Sequence, residues 1–255
     1  MIIKQDKCDK LNYKVFDTRK SMGETVAAEV AAAIKNLLLQ KEEINMIFAA
    51  APSQNDFTEV FSADKTVDFS RINAFHMDEY IGLDGNAPQA FGRFLREKLF
   101  SRVAFKSVNY INGNAANIND ECNRYSDLLS KYKCDIVCMG IGENGHIAFN
   151  DPHVANFNDK NAVKPVSLDE TCRHQQVNDG CFKTLSEVPT QAVTLTIPTL
   201  FAPKYVFCIV PAPTKANAVY EMLNGKIGEH CPCTILRKHE NAVLYTDADS
   251  ASKIL

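Results

Sequence analysis

Short apolar runs recur along this chain, and the segments between them carry apolar residues at helical spacing. Ile44 to Ala51, Arg71 to Met77, Val108 to Ile111, Cys134 to Met139, Ala192 to Ile197, Tyr205 to Val210 and Ala242 to Tyr245 read as strands. Ser21-Met22-Gly23-Glu24 reads as a capping box, and Val26, Val30, Ile34, Leu37 and Leu38 follow it with a helical period. Pro88 to Phe100 places Phe91, Phe94, Leu95 and Leu99 on one helical face, an aromatic stripe expected to pack in the core. Asp120 to Tyr132 is a third helix with Leu128 and Leu129 inward, and a fourth runs from about Thr214 to Leu223. Strands that alternate with helices bury their apolar side chains most readily in a mostly parallel sheet with helices on both faces. A chain of 255 residues, 45% of them hydrophobic, buries a sizeable core as one α/β domain. Neither a composition break nor an internal repeat divides residues 1–255.

Charge and composition exclude several function classes. The net charge of -3 comes from interspersed signs and leaves no basic patch for nucleic acid. No apolar run approaches the ~18 residues of a membrane span, and Met1-Ile2-Ile3-Lys4-Gln5-Asp6-Lys7 lacks the apolar core of a signal peptide. Cys134, Cys138 and Cys208, three of the nine cysteines, lie in apolar runs and read as small buried hydrophobes of a reducing compartment. Cys231-Pro232-Cys233 has one intervening residue and no partner motif, which argues against zinc. The expectation is a cytoplasmic protein with no metal, nucleic-acid or membrane partner.

In parallel sheets, ligands bind beyond the carboxyl ends of the strands. Four such ends carry polar chemistry here: Ala51-Pro52-Ser53-Gln54-Asn55-Asp56, Phe75-His76-Met77-Asp78-Glu79-Tyr80, the stretch Met139 to Pro152, and Pro211-Ala212-Pro213-Thr214-Lys215. The third says most. Gly140, Gly142 and Gly145 turn the chain tightly after a buried strand, His146 follows at once, and Asp151 lies five residues on. Imidazole titrates nearest neutrality, so a histidine on such a loop is suited to proton transfer. Gly140-Ile141-Gly142-Glu143-Asn144-Gly145 also fits G-x-G-x-x-G, but Pro152 and the polar stretch from His153 to Lys160 leave no room for the long helix that dinucleotide binding needs. Lys215 beside a hydroxyl at a helix start reads as an anion site. Asp78-Glu79 reads equally as a helix cap or as one of two proton-transfer groups around a sugar-sized ligand.

These segments resemble those of the glucosamine-6-phosphate deaminases. Phe75 to Leu83 is similar to their F-N-M-D-E-Y-V-G-L, and Gly140 to Pro152 to their G-V-G-x-D-G-H-I-A-F-N-E-P. Ile111-Asn112-Gly113-Asn114-Ala115 before a helix, and Ala192-Val193-Thr194-Leu195 before Thr199-Leu200, extend the similarity over most of the chain. The resemblance implies a single-domain Rossmann-like fold and an enzyme that converts a hexosamine 6-phosphate to a ketose phosphate and ammonia without a cofactor. It implies that Asp78 moves the proton between C2 and C1, that His146 opens the sugar ring with charge support from Asp151, and that Lys215 holds phosphate. Gly142 and Gly145 then let the backbone approach the substrate. It also implies a homo-oligomer.

This chain departs from the family pattern in three places. Asn144 stands where the family has aspartate, so ring opening leans on Asp151, and the galactosamine 6-phosphate epimer becomes a candidate substrate beside glucosamine 6-phosphate. Pro52-Ser53-Gln54-Asn55 replaces the glycine-rich phosphate loop, which brings Ser53, Gln54 and Asn55 to the phosphate. The family's phosphate-binding arginine has no aligned equivalent, and Arg173 stands nearest to it. The competing readings are a 6-phosphogluconolactonase-type hydrolase, against which Tyr80 argues, and a non-catalytic sugar-phosphate sensor. The polar, weakly periodic stretch 153–180 reads as a lid over the site or a surface loop.

Overall fold

The computed structural model describes residues 1–255, and its elements follow the apolar pattern. In chain order they are β1 (Ile2–Cys8), β2 (Leu11–Phe16), α1 (Arg19–Leu38), β3 (Ile44–Phe48), α2 (Asn55–Ala63), β4 (Ile72–His76), β5 (Asp78–Tyr80), α3 (Phe91–Leu95) and β6 (Ser107–Asn109). Then come α4 (Ile118–Lys131), β7 (Ile136–Met139), β8 (Val163–Ser167), α5 (Glu170–Asn178), β9 (Gln191–Leu195), α6 (Ile197–Phe201), β10 (Tyr205–Val210), α7 (Ala216–Asn224) and β11 (Ala242–Asp247). An eight-stranded sheet runs β1-β2-β11-β10-β7-β3-β4-β6. Only β1 is antiparallel to its neighbour.

Side chains of the central strands alternate between two cores. Ile47, Val137, Met139, Val206 and Cys208 face one cluster with α4, α6 and α7. Met46, Phe48, Ile136, Cys138, Phe207 and Ile209 face the other, with α1, α2 and α3. Both faces are covered, so these strands read in sequence as unbroken apolar runs. The chain steps outward from β3 through β4 to β6, then from β7 through β10 to β11. Connections leave in opposite directions on either side of the β3–β7 pair, and such a reversal opens a crevice at the carboxyl ends.

Several details differ from the sequence expectation. Helix α1 is capped three residues earlier than the proposed capping box places it: Thr18 is the N-cap and accepts from the Ser21 backbone N–H at 3.2 Å. The apolar run at Ala192 is β9, but it belongs to a separate antiparallel sheet, β5-β9-β8. The stretch 153–180 holds β8 and α5. Pro165 is tolerated in β8 because that strand lies at the sheet edge, and α5 is polar but capped by Asp169, which accepts from Cys172 N–H at 2.7 Å. The N-terminal hairpin and α2 were not anticipated. This small sheet packs on its own cluster of Tyr80, Phe149, Val166, Leu168, Cys172, Phe182, Val188 and Ala192.

The aromatic stripe divides. Leu95 and Leu99 are fully buried, whereas Phe91 and Phe94 are partly exposed and line a cavity. Phe48 is the packing centre of its face, with ring centroids 6.3 Å from Phe61, 5.8 Å from Phe100 and 6.0 Å from Phe105. Phe48→Ala should therefore cost about 3–5 kcal/mol. The check is the denaturant midpoint, which falls at unchanged slope; a midpoint within error of the parent would show that the cluster repacks.

Candidate active site

A cavity of about 310 Å³ opens at the carboxyl ends of β3, β4, β7 and β10. Ser53, Asp78, Gly142, His146 and Lys215 line it, so all four chemistry-bearing strand ends meet in one place.

The loop after β7 is shaped around His146. Gly145 has φ +79 and donates to the Gly142 carbonyl at 3.0 Å, while Gly142 N–H donates to the His146 carbonyl at 2.9 Å. The imidazole lies flat against the Gly142 Cα: a methyl group there would come within 2.1 Å of its Cε1. Nδ1 of His146 faces two acceptors, Asn144 Oδ1 at 2.8 Å and Asp151 Oδ1 at 2.9 Å. The ring proton therefore sits on Nδ1, and Nε2 keeps its lone pair. Asn144 Nδ2 donates to Asp151 Oδ1 at 3.0 Å, so the amide bridges histidine and carboxylate. Burial pushes the Asp151 carboxyl up, but the His146 imidazole and the Asn144 amide outweigh it and hold the group at about 2. Asp151 and Asn144 stand behind His146 and do not line the cavity.

Asp78 and Glu79 separate because successive strand residues point to opposite sides. Glu79 turns to the start of α3, where its carboxylate accepts from Phe91 N–H at 3.1 Å and Gly92 N–H at 2.8 Å. Asp78 faces the cavity. Burial, and then the charge of Glu79, raise its carboxyl well above the ordinary carboxylate range. Behind it, His76 is fully buried and its Nε2 accepts from Ile111 N–H at 2.8 Å. Desolvation takes His76 down to about 4, so it stays neutral.

Lys215 ends the turn Pro213–Lys215 that opens α7. The turn leaves β10 through Ala212, whose φ of +88 costs a non-glycine residue about 1–3 kcal/mol. The Asp247 carboxylate holds that strained residue by accepting its N–H at 3.2 Å to each oxygen. Burial lowers the Lys215 ammonium below its usual range, and the Asp179 and Glu143 charges oppose the shift. Arg19, at the start of α1, is the second cation on the cavity wall; it binds Asp56 and the Pro52 carbonyl.

Four sequence candidates lie elsewhere. Arg173 spends its guanidinium on the carbonyls of Leu185 at 2.6 Å and Val188 at 3.0 Å, and ties α5 to the following turn instead of facing the cavity. Gln54 is buried beneath the loop, donating to Ser53 Oγ at 3.0 Å, and Asn55 begins α2. Gly145 backs onto Cys231, whose sulfur would sit 2.5 Å from an added methyl. The sequence reading missed Arg19, Phe91, Phe94, Gln175, Gln176 and Asp179 on the wall. The glutamines carried no motif, and Phe91 and Phe94 have the spacing of core residues.

Comparison with known proteins agrees with this architecture. A family described as glucosamine-6-phosphate isomerases/6-phosphogluconolactonase matches residues 17–245, and the chain belongs to it. The glucosamine-6-phosphate deaminase of Bacillus cytotoxicus is 35% identical over 186 residues, which span 73% of this chain and 69% of that one. The Bacillus cereus (strain B4264) enzyme of the same name is 36% identical over the same shares. The solved structure of a monomeric glucosamine-6-phosphate deaminase superposes with a TM-score of 0.85 at 27% identity, covering 94% of this chain and 98% of that one. The 6-phosphogluconolactonase of Thermotoga maritima, with a TM-score of 0.75 at 22% identity over 92% and 98%, shares the fold.

Gly142→Ala should expel the imidazole from its seat while leaving the fold intact. General acid–base groups contribute about 10²–10⁴-fold, so kcat/KM of the folded variant should fall at least ~100-fold, with a lower melting temperature because Asp151 loses its buried partner. Parent-like kcat/KM would mean that the seat is not needed.

Proposed function

We propose that this protein deaminates and isomerises a hexosamine 6-phosphate, taking water and yielding a ketose 6-phosphate and ammonia. The observation that carries this reading is the meeting of Asp78, His146 and Lys215, from three separate strand ends, on one sugar-sized cavity. His146 Nε2 takes the anomeric hydroxyl proton and returns it to the ring oxygen, and Asp151 offsets the charge that the ring gains on the way. Asp78, whose carboxyl burial raises well above the ordinary range, removes the C2 proton of the open chain and delivers it to C1. The imine left at C2 takes up water and loses ammonia. Ser53, Lys215 and the backbone around Gly142 receive the phosphate, with Arg19 as a second positive charge nearby.

The bridging of His146 and Asp151 by Asn144 supports catalysis over a silent sensor, because the asparagine keeps the imidazole oriented while Asp151 supplies the charge. The lactonase reading rests on a shared fold, which does not carry a reaction. The segment 153–180 contributes Gln175, Gln176, Asp179 and Gly180 to the wall, and we assign it the role of a lid. No helix is long and apolar enough to cross a membrane. A cytoplasmic homo-oligomer completes the reading, and the mass in solution decides between it and a monomer like the relative of known structure.

The purified protein should release ammonia from glucosamine 6-phosphate or from galactosamine 6-phosphate, with the matching ketose phosphate. Silence with both, alongside saturable binding, would remove the enzymatic reading. A buried base must ionise to work, so kcat should fall as pH drops through a value above the ordinary carboxylate range near 4. Following kcat separates this titration from that of the free substrate's phosphate. Asp78→Asn should abolish turnover and keep binding; residual turnover with the same acid limb would remove Asp78 from the mechanism.

A further inference from the structure

Cys231-Pro232-Cys233 carries no zinc motif, and the fold assembles a different donor set. A ring nitrogen of His146, a carboxylate oxygen of Asp151 and Cys172 Sγ lie within 4.8 Å of one another, all three residues are buried, and Nδ1 is the nitrogen that faces Asp151. Cys172 reaches the place from the first turn of α5, 21 positions beyond Asp151 in the chain. A second observation marks the spot as unfinished. Asp151 Oδ2 is fully buried and has no hydrogen-bond partner, although a buried carboxylate oxygen ordinarily has one.

We propose that this pocket behind His146 is a binding site for a borderline-soft divalent cation of the Zn²⁺ class, and that occupancy switches the enzyme off. Imidazole nitrogen, carboxylate oxygen and thiolate sulfur are the three donor types that Zn²⁺ takes. Charge balances as well. One Zn²⁺ with a carboxylate, a thiolate and a neutral imidazole sums to zero, which suits a site without solvent. Asn144 Oδ1, 2.8 Å from Nδ1, or a water from the cavity completes a tetrahedron. Atoms sharing a zinc ion sit about 3–4 Å apart, so the widest of these separations closes on binding while Nδ1 and Asp151 Oδ1, 2.9 Å apart, spread slightly.

The inhibitory half follows from the tautomer and rests on the role proposed for His146. With the metal on Nδ1, the single proton of a neutral imidazole moves to Nε2. The cavity-facing nitrogen becomes a donor and no longer accepts the anomeric proton. Cys172 gives up its thiol proton to buffer, and Asp151 is already ionised, so one proton leaves per ion bound.

The test titrates chelator-treated full chain with Zn²⁺ alone by calorimetry, and with Cd²⁺ by its thiolate charge-transfer absorbance. One ion per chain is expected, with the Cd²⁺ band present in the parent. Cys172→Ala and Cys172→Ser should each weaken Zn²⁺ affinity at least tenfold, with fold checked by thermal melting, while the Cys231→Ser/Cys233→Ser double variant keeps the parent's affinity. Unchanged affinity in the Cys172 variants, or loss in the dithiol variant, would overturn the site. The second arm follows ammonia release with added Zn²⁺. Inhibition should be reversed by chelator and should need at least tenfold more Zn²⁺ in Cys172→Ala, measured against that variant's own metal-free rate. Binding at Cys172 without inhibition would overturn the switch and leave the metal site standing.

Discussion

Parallel pairing of β10, β7, β3 and β4 is the constraint from which the site follows. Parallel strands all end at the same sheet edge, so four loops distant in sequence leave from neighbouring points. The reversal in the direction of strand progression at the β3–β7 pair keeps the connections from covering that edge. Register then sets which side chain faces the cavity. One residue of slip in β5 would exchange Asp78 for Glu79, placing in the cavity a carboxylate that now caps α3.

The fold was legible where one pattern had one physical cause. Runs such as Ile136 to Met139 and Tyr205 to Val210 are buried on both faces, and a strand covered by helices on each side accounts for an unbroken apolar run that short. The hairpin at the N-terminus was not legible, because β1 is largely exposed and its composition is that of a loop. The small sheet was hidden for another reason. Its strands are short, one carries a proline, and its pairing links residue 78 to residue 194, a separation that no local pattern encodes.

The site shows the same division. His146 and Asp151 share one loop, so their spacing told of their contact, and the acidic pair at Asp78 announced itself after a strand. Arg19, Gln175 and Gln176 reach the cavity through tertiary placement, and nothing in their local sequence separates them from solvated polar residues. Arg173 shows the converse. Its position near the expected arginine was right in sequence and uninformative in space, since two carbonyls claim the guanidinium.

The roof of the cavity rests on a foundation of its own. Tyr80, Phe149, Cys172 and Phe182 belong to an eight-residue cluster separate from the 34- and 27-residue cores of the large sheet. A cluster that small gives up little apolar contact when it loosens, so it opens at a free energy well below that of global unfolding. With segment 153–180 in the proposed role of a lid, the two halves of the site belong to units of unequal cooperativity: a floor as durable as the whole protein, and a cover that loosens first. Under the lid role proposed for 153–180, substitutions in that small cluster should alter how long the site stays shut more than they alter how firmly the large sheet is folded.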